Sequence, residues 1–139
     1  MAIDQFAGML AGLFESDFSV QGNFAVLRGS STDPNQQQTN EAFSEKWEKY
    51  EASDEKERLY EFQRTWYLKL YGFDSEDALA AFLRDKHVIL DAGCGLGYKA
   101  EWFARLAPHA LVLGMDFSDA AAQAARNYAG VPNLYFIQC

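Results

Sequence analysis

Apolar positions follow two different periods along this chain, and the change falls near residue 87. Upstream, Ile3, Phe6, Leu10 and Leu13 recur at helical spacing and predict a short amphipathic helix. Residues 24–27 read as a brief strand. Residues 29–40, with SSTDPNQQQTN at their centre, offer almost nothing to bury and read as a polar loop. Phe43, Trp47 and Tyr50 then share one helical face. Leu59, Phe62 and Trp66 repeat the pattern in a second helix, which Gly72 closes. Asp54 and Glu57 stand at capping-box spacing and place the start of that helix. Both aromatic stripes read as packing surfaces, so Trp47 and Trp66 are expected to be buried, on helices lying over the sheet or over the cofactor mouth. A third short helix, residues 75–83, leads out of this half.

Downstream the pattern alternates strand and helix. Residues 88–90 form a buried-strand run that ends in Asp91-Ala92-Gly93-Cys94-Gly95-Leu96-Gly97. Ala100, Phe103, Ala104 and Ala107 mark the inner face of a helix that Pro108 ends. Residues 110–115 form a second strand, closed by Asp116. Ser118 is a good N-cap for a helix carrying Ala121, Ala124, Ala125 and Tyr128 on one face. Gly130 and Pro132 break it, and residues 134–137 form a third strand. The order βαβαβ, with right-handed crossovers, gives an α/β parallel sheet of strand order 3-2-1, half of a doubly wound fold. The chain thus divides into an N-terminal helical region, 1–86, and an alternating region, 87–139.

At 139 residues the chain has the length of one domain. Its net charge of −8 argues against nucleic acid as a partner, because an acidic surface repels a phosphate backbone. Cys94 and Cys139 are too few and too distant for a disulfide framework, and His87 and His109 do not join them at any metal-ligand spacing. No metal is expected. No apolar run is long enough to span a bilayer, and residues 1–14 carry Asp4 without a basic leader, so no membrane contact is expected. These features predict a cytoplasmic protein with reduced thiols.

The candidate chemistry lies in the turn after residue 90. Gly93, Gly95 and Gly97 let a ligand approach the backbone closely, and the helix that follows presents free N–H groups. Asp116, ending the neighbouring strand, can accept ribose hydroxyls. Two ligand classes use such a turn. Residues 95–100 formally fit G-x-G-x-x-A, a dinucleotide fingerprint. The longer string from Val88 to Gly97, an acid followed by three alternate glycines, resembles the first motif of the class I S-adenosylmethionine-dependent methyltransferases. Leu113-Gly114-Met115-Asp116 resembles their second motif, and residues 133–139 their third strand. The resemblance covers 88–139 well and 41–87 more loosely, where Phe43-Ser44-Glu45-Lys46-Trp47 is similar to a segment preceding the core in many small-molecule methyltransferases.

The resemblance implies a Rossmann-like fold and S-adenosylmethionine as cofactor. By position it implies that Asp91 orders the turn and meets the amino-acid end of the cofactor. Gly93, Cys94, Gly95 and Gly97 would supply backbone contacts, Asp116 would hold the ribose, and Met115 or Phe117 would pack near the adenine. Cys94 as a nucleophile lacks a base partner. The implied reaction is methyl transfer to a small-molecule acceptor, and no residue is assigned as catalytic. The family's later strands and the acid that follows its third strand have no counterpart up to Cys139. The chain is therefore expected to be the N-terminal part of such an enzyme, inactive alone, with an open strand edge that favours self-association. The alternatives are a cofactor-binding or scaffolding piece without catalysis, and a nicotinamide-dinucleotide-binding domain.

Overall fold

The computed structural model describes residues 3–28 and 34–139, without the side chains of Ile3, Asp4 and Tyr50. Ile3 and Tyr50 of the predicted stripes, and residues 29–33 of the predicted loop, lie outside the described residues. In chain order the elements are α1 (Ile3–Leu13), β1 (Phe18–Gln21), β2 (Phe24–Leu27), α2 (Pro34–Glu51), α3 (Lys56–Leu70), α4 (Glu76–Leu83), β3 (Val88–Ala92), α5 (Tyr98–Leu106), β4 (Leu111–Asp116), α6 (Ala120–Asn127) and β5 (Leu134–Gln138).

The sheet runs β1-β2-β5-β4-β3. Its β5-β4-β3 part is parallel and carries the expected 3-2-1 order, in register from Val88 beside Leu111 and Val112 beside Leu134. The correction lies at the far edge. Residues 18–27, of which only 24–27 were expected to be extended, form an antiparallel hairpin whose β2 pairs parallel with β5. Four-residue strands are too short for a period of two to stand out. Gly22, at φ +60°, lies in the turn.

The run expected as a loop over 29–40 is also corrected, because α2 begins at Pro34. Proline is preorganised for the first helical position, and the amide-rich turn that follows has no apolar period to reveal it. α3 begins at Lys56, and its N-cap, Glu55, makes no side-chain cap bond, so the Asp54–Glu57 capping box does not form. Its end agrees with expectation. Gly72 is left-handed at φ +76°, Gly72 N–H donates to Lys69 O, and Phe73 N–H donates to Leu68 O. Ser75 caps α4, its hydroxyl accepting from Ala78 N–H at 3.1 Å.

Two apolar layers cover the sheet. On one face α5 and α6 bury Ala100, Trp102, Phe103, Ala104 and Ala124 against Val112, Leu134 and Phe136. On the other, α1 sets Phe6 and Leu10 on Ala25, Leu113, Tyr135 and Ile137. The aromatic stripes predicted as packing surfaces are not the core. Phe62 is 66% exposed and Trp66 54%, and Phe43 is exposed as well. α3 turns its opposite face inward, stacking Tyr60 on Tyr98 and setting Tyr67 edge-on to Trp102 and Phe103. Helical period marks two apolar faces on this aromatic-rich helix and does not say which one is buried.

Candidate functional site

The strand β3 ends in Asp91, and the backbone then makes three left-handed steps, Gly93 (φ +75°), Gly95 (φ +54°) and Gly97 (φ +81°), before α5 begins. Only glycine adopts these angles without strain. Gly97 also needs to be small, since a Cβ there would lie 2.6 Å from the Phe136 ring and 2.9 Å from the Ala124 methyl. The turn is tied to the neighbouring strand: Gly93 and Cys94 N–H both donate to Met115 O, at 2.7 and 2.9 Å.

The carboxylate of Asp116 joins the two predicted motifs directly. Gly95 N–H donates to its Oδ2 at 2.8 Å. Ser118 donates to its Oδ1 from both backbone N–H, at 2.9 Å, and hydroxyl, at 2.7 Å. A carboxylate offers about four acceptor sites, and three are filled from within the chain. Asp116 thus fixes the turn as much as it awaits a ligand. Ser118, expected as the N-cap of the following helix, is fully buried, and the N-cap falls one residue later at Asp119. The Ser118 hydroxyl still accepts from Ala120 N–H at 3.3 Å.

Asp91 is the site's unsatisfied group. Its Oδ2 is buried with no hydrogen-bond partner. Burial raises its pKa above the ordinary carboxylate range and nearby Asp116 adds to this, while Lys99 and the Ala100 backbone amide pull the other way. The position a Cβ would take at Gly93 is open, with nothing within 4 Å. Cys94 is buried, and desolvation pushes its thiol far above the ordinary range, so it does not act as a nucleophile.

One element outside the glycine and acid motifs lies over the turn. α2 crosses the carboxyl ends of the strands. Trp47 sits so close to Gly95 that a Cβ there would come within 2.7 Å of the indole. Asp119 N–H donates to the Ser44 hydroxyl at 3.2 Å, and Phe43 meets Phe117 edge-on at 5.6 Å between centroids. A cavity of about 270 Å³ opens between α2 and α6, lined by Ser44, Trp47, Leu96 and Arg126 among others. A second, of about 400 Å³, lies between α2 and the ends of β2 and β5, beside Phe117 and Gln138. Of the residues singled out from sequence, Asp91, Gly93, Cys94, Gly95, Gly97, Asp116 and Phe117 come together at one edge of the sheet. His87 and His109 are exposed, and no group of three metal-ligating side chains occurs among the described residues. No helix among them is long and apolar enough to cross a membrane.

Residues 89–139 match a family model described as a methyltransferase domain. This segment runs from β3 to β5, and the match bears out the resemblance to class I S-adenosylmethionine-dependent methyltransferases over the stretch that carries the motifs. The chain is also 44% identical over 43 residues to the uncharacterized phycocyanin operon protein W of Pseudanabaena tenuis. That match covers 31% of this chain and 41% of the relative.

Proposed function

We propose that the chain binds S-adenosylmethionine at the turn formed by Gly93, Gly95 and Gly97 and serves methyl transfer to a small-molecule acceptor. The observation that carries this reading is the bond from Gly95 N–H to Asp116 Oδ2, which joins the glycine turn and the strand-end acid into one unit. The residues fit such a cofactor. The orphaned Asp91 Oδ2 is a waiting acceptor for an ammonium group, and Gly93 leaves room for close approach. Asp116 keeps one acceptor site for a ribose hydroxyl, and Phe117, half-buried beside an open cavity, offers a ring to a purine.

When bound, the cofactor supplies a methyl group already activated on a sulfonium. The chain's own residues therefore bind, orient and exclude water rather than perform bond chemistry. Asp91 would fix the amino-acid end and Asp116 the ribose, on a turn whose Gly93, Cys94, Gly95 and Gly97 amides are held within the chain. Calorimetry with S-adenosylhomocysteine, the demethylated product, tests this. Binding is expected, and Asp116→Ala should weaken it at least tenfold (about 1.4 kcal/mol). An unchanged affinity in that variant would remove Asp116 from the site.

A further inference from the structure

The stripe that α2 presents to the sheet is unlike that of any other helix packed on it. Asn40, Ser44, Trp47 and Glu51 recur at i, i+4, i+7 and i+11, and each is only half-buried. α5 and α6, by contrast, each bury four residues fully. Among its described side chains, α2 is thus a polar helix that adds no residue to either core cluster. It lies where ligands of open α/β sheets bind, outside the carboxyl ends of the strands.

The contacts of α2 fall unevenly on the crevice. At Gly93 the approach is open. At Gly95 the indole of Trp47 fills the space that a ligand would use to reach the backbone. Farther along, Phe43 meets Phe117 edge-on and the Ser44 hydroxyl takes the Asp119 amide. The amino-acid side of the site is free, and the nucleoside side is occupied by the chain itself.

We infer that α2 is a displaceable lid: seated with Trp47 on Gly95, it occupies the nucleoside side of the crevice, and an adenosyl ligand binds by lifting it. The inference rests on the cofactor reading above for the identity of the ligand, and on packing alone for the motion. The pivot is the short connection of residues 52–55. Beyond it, α3 stays anchored by the Tyr60–Tyr98 stack, at 4.4 Å between ring centroids, and by Tyr67 on Trp102. A helix whose described side chains are all exposed or half-buried opens at far lower free energy than the sheet unfolds. Binding must then oppose closure, so the apparent affinity falls by the fraction of chains that are open.

A reversible lock tests this. The Ser44 hydroxyl lies 3.2 Å from the Asp119 backbone N–H. Ser44→Cys with Asp119→Cys, in a Cys139→Ser background, therefore places one thiol on each side of the closed contact, and loss of both thiols on oxidation confirms the lock. Oxidation should weaken S-adenosylhomocysteine binding at least tenfold relative to the same protein reduced, and reduction should restore it. Without ligand, the amides of α2 should exchange with deuterium at least a hundredfold faster than those of β4, and oxidation should slow them at least tenfold. Equal affinity in the two redox states overturns the lid. So does α2 exchange that is no faster than that of β4, or that the lock leaves unchanged. If neither form binds, the cofactor reading fails, and the exchange measurement alone decides for or against the motion.

Discussion

Asp91 and Asp116 end neighbouring strands, yet their surroundings give them opposite roles. Asp116 accepts three hydrogen bonds and holds the turn in place. Asp91 is half-buried, with its Oδ2 buried and unpaired, and that desolvation raises its pKa. The folded chain therefore keeps the Asp91 proton to a higher pH than the unfolded chain does. Stability is greatest where both forms are protonated, below the ordinary carboxylate pKa, and falls as pH rises through the folded value. Asp91→Asn removes that loss. It should raise unfolding stability at neutral pH by about 1 kcal/mol, change it little in acid, and weaken S-adenosylhomocysteine binding. Urea unfolding at the two pH values, with a binding titration, checks this. A variant less stable at neutral pH would show that Asp91 is structural.

At the scale of elements, the sequence was most legible where one period ran long enough to be read. The β3-α5-β4-α6-β5 unit appears within a residue or two of its expected bounds, because alanine-rich inner faces and glycine or proline stops leave little choice. The hairpin β1–β2 was half missed, since four-residue strands carry two inward side chains each. The first two turns of α2 stay hidden because Pro34 to Asn40 has no apolar face. Asn133, which sequence gave no reason to single out, ties these elements together. Its Nδ2 lies 3.1, 3.1 and 2.9 Å from the carbonyls of Ala104, Ala107 and Ala110, linking the end of α5 to the approach to β4. Asn133→Ala leaves the Ala104 and Ala110 carbonyls short of a donor and should cost roughly 1–3 kcal/mol. Thermal unfolding reads this directly, and a loss below the error of the method would demote the amide to decoration.

For the whole molecule, the unevenness of the sheet matters most. α1 covers one face over β1, β2, β5 and β4, and β3 is left at the edge with Val88 47% and Leu90 50% exposed on that same face. Among the described residues no strand pairs with the other side of β3. This is the physical ground for the expected self-association, since unpaired strand edges beside aliphatic side chains favour pairing with another chain. Sedimentation should show mass rising with concentration, and Val88→Lys with Leu90→Lys should suppress it. A parent chain that stays monomeric at high concentration would contradict the expectation.

The preference between the two ligand classes that a glycine turn admits rests on the acid preceding the glycines, on Leu113 to Asp116 and on the third strand, as a resemblance of three motifs. Periodicity and spacing alone left both open. The stripe of Phe43 and Trp47 marks a packing face in the sequence, but its period does not say that Trp47 meets Gly95. The most direct measurement is an amide-resolved titration of the intact chain with S-adenosylhomocysteine and, separately, with a nicotinamide dinucleotide. The account predicts saturable shifts at Gly93, Gly95, Gly97 and Ser118 with the first ligand and none with the second. Shifts produced by the dinucleotide at lower concentration, or no response of the turn to the adenosyl ligand, would contradict it.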